Sequence, residues 1–325
     1  MTLARRQFLH LAAAAAALPA LTHAANADSY PSRPVRIIVA TSAGGSTDIV
    51  ARIIAQWLSE RLGQQFVVEN RPGGGNNIGT EAAVRAPPDG YTLFMANSVN
   101  AINTTFYENL SYNFTTDIAP IAIALRSSLL VNVHPSVPAK TVAELVALAK
   151  ANPGKINMGS GGSGATGHVS GELFAMMAGV KMTHVPYRGE SMALADLIGG
   201  QVQVVFATVG SAIQYVRAGQ VRALAITSTA RWDGLPDVPT LADSVPGYEA
   251  SSWSGLCAPK STPADIIVRL NKEVNAALAD PKIQARLAEL GTPAETNSPA
   301  DFGGIILADT EKWAKVIKFV GAKAN

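Results

Sequence analysis

A β-branched run, Val35-Arg36-Ile37-Ile38-Val39, stops at Ser42-Ala43-Gly44-Gly45-Ser46-Thr47-Asp48. Behind that stretch Ile49, Val50, Ile53, Ile54, Trp57, Leu58 and Leu62 recur at helical spacing. The glycines therefore mark a turn from a strand into a helix. Backbone N–H groups that open a helix have no partner within it. With the positive end of the helix dipole they attract anions, and Gly44 and Gly45 let a ligand come close to the main chain. The same arrangement recurs at Ser160-Gly161-Gly162-Ser163-Gly164-Ala165-Thr166-Gly167-His168. The expectation is that both turns face one cleft and hold a small carboxylate between them.

Between these turns, short apolar strands alternate with helices. Phe66-Val67-Val68-Glu69 and Tyr91-Thr92-Leu93-Phe94-Met95 read as strands, with a helix from Ile78 to Arg85. Leu129-Leu130-Val131-Asn132-Val133 is a strand and Val142 to Lys150 a helix that ends at Asn152-Pro153-Gly154. A second βαβ series follows, with strands at Ile156-Asn157-Met158, Met182-Thr183-His184-Val185, Val202-Gln203-Val204-Val205-Phe206 and Ala223-Leu224-Ala225-Ile226. Its helices begin near Gly167, Glu190 and Ser211. Ser251-Ser252-Trp253-Ser254-Gly255-Leu256 returns to the first series. Two helices then start at Thr262-Pro263-Ala264-Asp265 and Ser298-Pro299-Ala300-Asp301, each with an N-cap followed by Pro. This succession predicts a two-lobed α/β protein with mostly parallel sheets, helices on both faces and a cleft. Lobe one covers 31–127 and 249–325, and lobe two covers 128–248. Ligands of such sheets bind beyond the carboxyl ends of the strands, where all these glycine turns lie.

The first 27 residues read as an export leader: Arg5-Arg6-Gln7-Phe8-Leu9 is a twin-arginine pattern, or a chance Arg pair in an ordinary secretory signal. Leu11 to Leu21 is its apolar segment, too short to anchor the chain in a membrane. Ala25-Asn26-Ala27 is a small-x-small cleavage site, so the mature protein begins at Asp28 and is periplasmic. Of 26 Lys+Arg, Arg5 and Arg6 leave with the leader, and 24 remain against 24 Asp+Glu. That balance gives no electrostatic basis for a nucleic-acid partner. Cys257 is the only cysteine, which excludes an internal disulfide and a Cys-based metal cluster. No metal and no cofactor is expected.

Six motifs in order carry a resemblance: Gly44-Gly45-Ser46-Thr47-Asp48, Asn70-Arg71-Pro72-Gly73, Pro88-Asp89-Gly90-Tyr91-Thr92-Leu93, His184-Val185-Pro186-Tyr187-Arg188-Gly189, Leu235-Pro236-Asp237-Val238-Pro239-Thr240 and Trp253-Ser254-Gly255-Leu256. From about Pro31 onward the chain resembles the Bug-type substrate-binding proteins of tripartite tricarboxylate transporters. That resemblance implies a periplasmic-binding-protein fold of type II, no catalytic activity, a carboxylate ligand, membrane permease partners and a monomer. It assigns Ala43, Gly44, Gly45, Ser46, Thr47, Asp48, Ser160, Gly162, Ser163, Gly164, Ala165, Thr166 and His168 to the ligand, largely through main-chain N–H groups. Asn97, Ser98, Tyr187 and Arg188 complete the implied cleft. There are two departures from the family pattern. Ala40-Thr41 stands where Pro and an aromatic are usual, leaving Thr41 as a small ligand contact. Ala207-Thr208 stands where an acid and Asn are usual, leaving Thr208 as the only polar group there and counting against amino-acid ligands.

Each residue also has a structural reading. Asp48 could touch a ligand or complement the dipole of its own helix. His168 could pair with a carboxylate or stay neutral and locally bonded. Arg188 is the best cation for bidentate carboxylate binding. Trp253 reads as packing, and residues 70–79 as the cleft rim or a plain turn. Gly162-Ser163-Gly164-Ala165-Thr166-Gly167 also matches the dinucleotide pattern G-x-G-x-x-G, which makes an exported nicotinamide-dependent oxidoreductase the enzyme alternative. A third reading is a ligand sensor for a signalling partner.

Overall fold

The computed structural model of the protein describes residues 30–290 and 296–321. The expected leader and its cleavage site lie outside the described residues. Chain order begins β1 (Val35–Val39), α1 (Ser46–Leu62), β2 (Phe66–Asn70), α2 (Asn77–Val84), β3 (Thr92–Asn97), α3 (Ser98–Phe106) and α4 (Phe114–Asp117). It continues with β4 (Ile118–Val133), α5 (Val142–Ala151), β5 (Asn157–Ser160), α6 (Thr166–Ala178), β6 (Thr183–Pro186), α7 (Glu190–Ile198), β7 (Val204–Thr208), α8 (Val209–Arg217) and β8 (Arg222–Ile226). Last come β9 (Ser251–Pro259), α9 (Ala264–Ala279), α10 (Pro281–Ala288) and α11 (Pro299–Val320).

Nine strands join in one sheet in the order β2-β1-β3-β9-β4-β7-β5-β6, with β8 also paired to β4. The parallel pairs expected from βαβ units lie at the two ends, β2-β1-β3 and β7-β5-β6. Its centre is antiparallel, because β9 and β4 run against their neighbours. Strand β4 is much longer than the five residues read from the sequence. Its residues 118–128 pair with β9, and residues 129–133 pair with β7 and β8. One strand thus serves both ends of the sheet.

Local signals explain most helix boundaries. Helix α1 buries Val50, Ile53, Ile54 and Leu58 and ends at Gly63, whose φ of 71° is the left-handed conformation glycine accepts most easily. Helix α11 starts on the expected Ser298, which forms a capping box with Asp301 and has Pro299 in the first turn. At α9 the expectation shifts by one residue. Pro263 itself occupies the cap position, and the Thr262 hydroxyl donates back to Pro259 O at 2.8 Å.

Two large clusters fill the space behind the sheet. One gathers Ile38, Phe94, Phe114, Trp253, Phe302 and Ile306. The other joins Ile102, Phe106, Leu129, Val131, Phe174, Phe206, Trp313 and Ile317. Helix α11 contributes to both, so it binds the two ends of the sheet together. Full burial of each such side chain stabilises by about 1.5–3 kcal/mol. Trp253 packs edge-on against Phe302 and donates to Asp309 Oδ2 at 2.7 Å, so the packing reading of this residue holds. A smaller third cluster forms on the opposite side of β4, around Leu130, Leu194, Leu197 and Val205. Alternate residues of β4 therefore feed different cores: Leu129, Val131 and Val133 one, Leu130 the other. Cys257 is buried, and burial pushes its thiol well above the ordinary value, as befits a small core residue.

Candidate functional site

The turn between β1 and α1 is open to solvent: residues 42–46 are exposed. Gly45 caps α1 without help from any side chain. The first bond returning to the cap is Ile49 N to Gly45 O at 2.9 Å, so the amides of Ser46, Thr47 and Asp48 have no acceptor among the described residues. Helix α6 repeats the arrangement. Ala165 caps it with no side-chain bond, and its first return bond is Val169 N to Ala165 O at 3.1 Å. The amides of Thr166, Gly167 and His168 are left in the same state. By contrast α3 is closed off at its start, because Asn97 Oδ1 accepts Val99 N and Asn100 Oδ1 accepts Asn97 N.

Hydroxyl groups tie these helix starts to the centre of β9. Thr47 Oγ1 lies 3.1 Å from Ser254 Oγ. Ser98 Oγ lies 3.1 Å from Ser252 Oγ and 3.0 Å from Thr166 Oγ1. Ser252 and Ser254 are two apart on one strand, hence on one face of it. The starts of α1, α3 and α6 therefore converge on that face. Gly164, with φ of 78°, presses against α3 as well: a Cβ there would lie 3.1 Å from the Phe106 ring. Ser252 and Ser254 were not singled out from the sequence, where nothing separates them from other strand serines.

Asp48 is spoken for. Its side chain is 3% exposed and accepts Gly44 N at 2.8 Å, Arg52 Nε at 3.0 Å and Asn70 Nδ2 at 2.9 Å. Burial alone would raise its pKa, but the bonds from Arg52, Gly44 and Asn70 together hold it below the ordinary value. Asp48 thus braces the turn whose amides face outward. Thr41 is also drawn in, since its carbonyl accepts Asn70 Nδ2 at 3.1 Å, while its hydroxyl oxygen is buried with no partner among the described residues.

His168 takes the local, neutral reading. Its Nδ1 accepts Gly164 N at 3.1 Å, and its ring stacks on His184 with centroids 3.7 Å apart. Burial, then the neighbouring His184, pushes its pKa down to about 3, and burial holds His184 at about 4. His184 Nε2 meets Ser160 Oγ at 2.7 Å, and Ser160 Oγ in turn donates to Gly162 O at 3.1 Å. The two imidazoles shape the second turn from behind.

The remaining candidates are more dispersed. Tyr187 sends its hydroxyl to Asp196 at 2.7 Å. Arg188 is exposed and makes no bond among the described residues. Ser163 is exposed at the tip of its turn. Thr208 is not the only polar group at its position, contrary to the expectation from the sequence. Glu190 lies against it, accepting its hydroxyl at 2.7 Å and its N–H at 3.2 Å. An acid 18 residues away in sequence thus stands beside Thr208, although its neighbour Ala207 is buried in the core. Among the described residues no group of His, Cys, Asp and Glu is arranged to hold a metal ion.

A mixed α/β sheet with uncapped helix starts gathered at one central strand is the architecture of a periplasmic binding protein. The chain belongs to the tripartite tricarboxylate transporter family receptors, whose match spans residues 50–322. Three solved structures are similar over nearly the whole chain. Rpa4515 of R. palustris, solved with adipate, is 37% identical with a TM-score of 0.82, covering 90% of this chain and 99% of that one. The periplasmic binding protein BugD is 34% identical with a TM-score of 0.79, covering 91% and 100%. MatC of Rhodopseudomonas palustris, solved with malate, is 29% identical with a TM-score of 0.79, covering 89% and 100%. These are solute-binding proteins and not enzymes, so the nicotinamide alternative falls. The glycines that suggested it have packing roles: a Cβ at Gly167 would strike Phe206 O, and one at Gly164 would meet Phe106.

Proposed function

We propose that this chain is a periplasmic receptor that captures a small carboxylate between the starts of α1 and α6 and delivers it to the permease subunits of a tripartite transporter. The observation that carries the proposal is the convergence of two uncapped helix starts, 17 and 13 residues long, on the Ser252–Ser254 face of β9. Each offers three amides and a dipole end to a negative charge. Charge-assisted hydrogen bonds of this kind contribute about 1.5–3 kcal/mol apiece. Relatives of similar shape hold adipate and malate, which fits the same chemistry. The ligand contacts proposed are the amides of Ser46, Thr47 and Asp48 and of Thr166, Gly167 and His168, with Ser98, Thr41 and the exposed Arg188 at the margins. Residues 31–127 with 249–325 form one lobe and 128–248 the other, and the lobes close on the ligand. The leader is removed near Ala27.

A thermal-melt panel of mono-, di- and tricarboxylates and acidic amino acids tests this reading. A ligand present at 100 times its dissociation constant adds about 2.7 kcal/mol of stability. A panel in which no carboxylate shifts the melt rejects the proposal.

A further inference from the structure

We propose that Glu190 is a charge filter in this cleft, admitting carboxylates whose far end is neutral or cationic and rejecting dicarboxylates; the inference rests on the carboxylate-receptor reading above. Glu190 opens α7 and is only partly exposed. Its Oε1 accepts the Thr208 hydroxyl at 2.7 Å, and both its oxygens share the single Thr208 N–H at 3.2 Å. Oε2 therefore keeps lone pairs that no protein donor uses. No cation among the described residues pairs with this carboxylate. Arg188, two residues earlier, is exposed and makes no bond to it. Asp48 is the contrast, because Arg52 neutralises it at 3.0 Å. Of these two acids, Asp48 is matched by a cation and Glu190 is not.

The unmatched acid is close to the ligand amides. A Cβ at Gly161, in the turn leading to α6, would lie 2.9 Å from Glu190 N. Gly167, in the first turn of α6, packs on the carbonyl of Phe206, two residues before Thr208. Glu190 and Thr208 are thus pressed against the start of α6. A ligand carboxylate seated on the α6 amides carries its second group toward this pair. A second carboxylate there meets like charge and finds both Thr208 protons already taken. An ammonium or hydroxyl group meets the spare lone pairs of Oε2.

Isothermal titration of the full chain and of Glu190→Gln with matched triads tests the filter. The triads are butanoate, succinate and 4-aminobutanoate; hexanoate, adipate and 6-aminohexanoate; benzoate, terephthalate and 4-(aminomethyl)benzoate. Within the triads that bind, the amine-bearing acid should bind the native chain about tenfold or more tightly than the dicarboxylate. Glu190→Gln keeps an acceptor for Thr208, and it should narrow or reverse that ratio, chiefly by strengthening the dicarboxylate. A purely structural tie between α7 and β7 would instead change all members of a triad alike. The filter is overturned by a native chain that binds the dicarboxylate as well as the amine, or by a ratio that Glu190→Gln leaves unchanged. Failure of every triad member to bind either protein overturns the carboxylate reading itself.

Discussion

Gly45→Val is the sharpest probe of how the ligand charge is held. Gly45 sits at φ −77°, which any residue adopts, and a Cβ there would have only Ser42 O nearby, at 3.7 Å. Valine at this cap position should therefore cost only about 1 kcal/mol of stability, the difference between a favourable and an unfavourable N-cap. It would, however, place two methyl groups over the exposed amides of α1. Loss of one charge-assisted bond there weakens binding by about 1.5–3 kcal/mol, or roughly 10- to 150-fold. Arg188→Gln removes a charge that is solvated and unpaired, and should weaken binding by no more than about 1 kcal/mol. Calorimetric dissociation constants on both variants, with melting curves to show that each is folded, decide between them. Gly164→Val is a poor companion, although the sequence makes it look equivalent. Its φ of 78° adds strain of about 1–2 kcal/mol. Its Cβ would also crowd the Phe106 ring at 3.1 Å, so lost binding there would be confounded with lost stability. If Arg188→Gln abolishes binding while Gly45→Val binds normally, the helix-start mechanism is wrong and a single-arginine clamp replaces it.

Two further outcomes concern stability. Asp48→Asn should destabilise by about 2 kcal/mol in urea at neutral pH, because the charge-assisted bonds from Arg52 and Gly44 weaken. The Asp48 pKa is lowered in the folded state, so its contribution is complete above the ordinary value of 3.8 and is lost as pH falls through the folded value. The deficit between native and Asp48→Asn proteins should accordingly narrow only below pH 3.8, and a deficit that shrinks already between pH 7 and pH 5 would contradict this. His168 and His184 act in the opposite range. Their folded values of about 3 and about 4 lie below the ordinary 6.5, so the unfolded chain binds more protons in between. Stability should fall as pH drops from 6.5 to about 4, and His184→Asn should flatten that slope in denaturation curves taken across the interval.

The strand-to-helix turns were legible because they depend on neighbours in sequence: β-branched runs, glycines and a helical period. The long β4 was not, because Pro120 and the polar Arg126-Ser127-Ser128 interrupt the apolar pattern that marked residues 129–133. Those polar residues are tolerated because that stretch pairs with β9. Helix α3 was missed for another reason. Its capping box uses Asn97 and Asn100 instead of the Ser/Thr and Glu/Gln that make such starts readable. The links that assemble the site were beyond reach, since Thr47 and Ser254 lie 207 residues apart and Ser98 and Ser252 lie 154 apart. Glu190 beside Thr208 was hidden likewise: the local pattern suggested a missing acid, and the fold supplies one from the preceding helix. Trp253 was read correctly as a packing residue, since its large apolar ring decides the matter locally.

Strand β4 has one more consequence, for the lengths this chain can tolerate. Over residues 129–133 its odd-numbered side chains fill one core, and Leu130 fills the other. Side-chain direction along a strand repeats every second residue, so removing or adding a single residue just before Leu129 exchanges the two sets. Leu129, Val131 and Val133 would then face the helices α7 and α8, and Asn132 would be driven into the larger core. The Asn132 amide now also reaches Val205 O on β7 at 3.4 Å, a partner outside its own strand that the shift would take away. A substitution in this stretch costs one side chain, but a single-codon insertion or deletion costs the whole segment. Homologous chains should therefore vary in length within the loop of residues 227–250 and keep the spacing through β4 fixed.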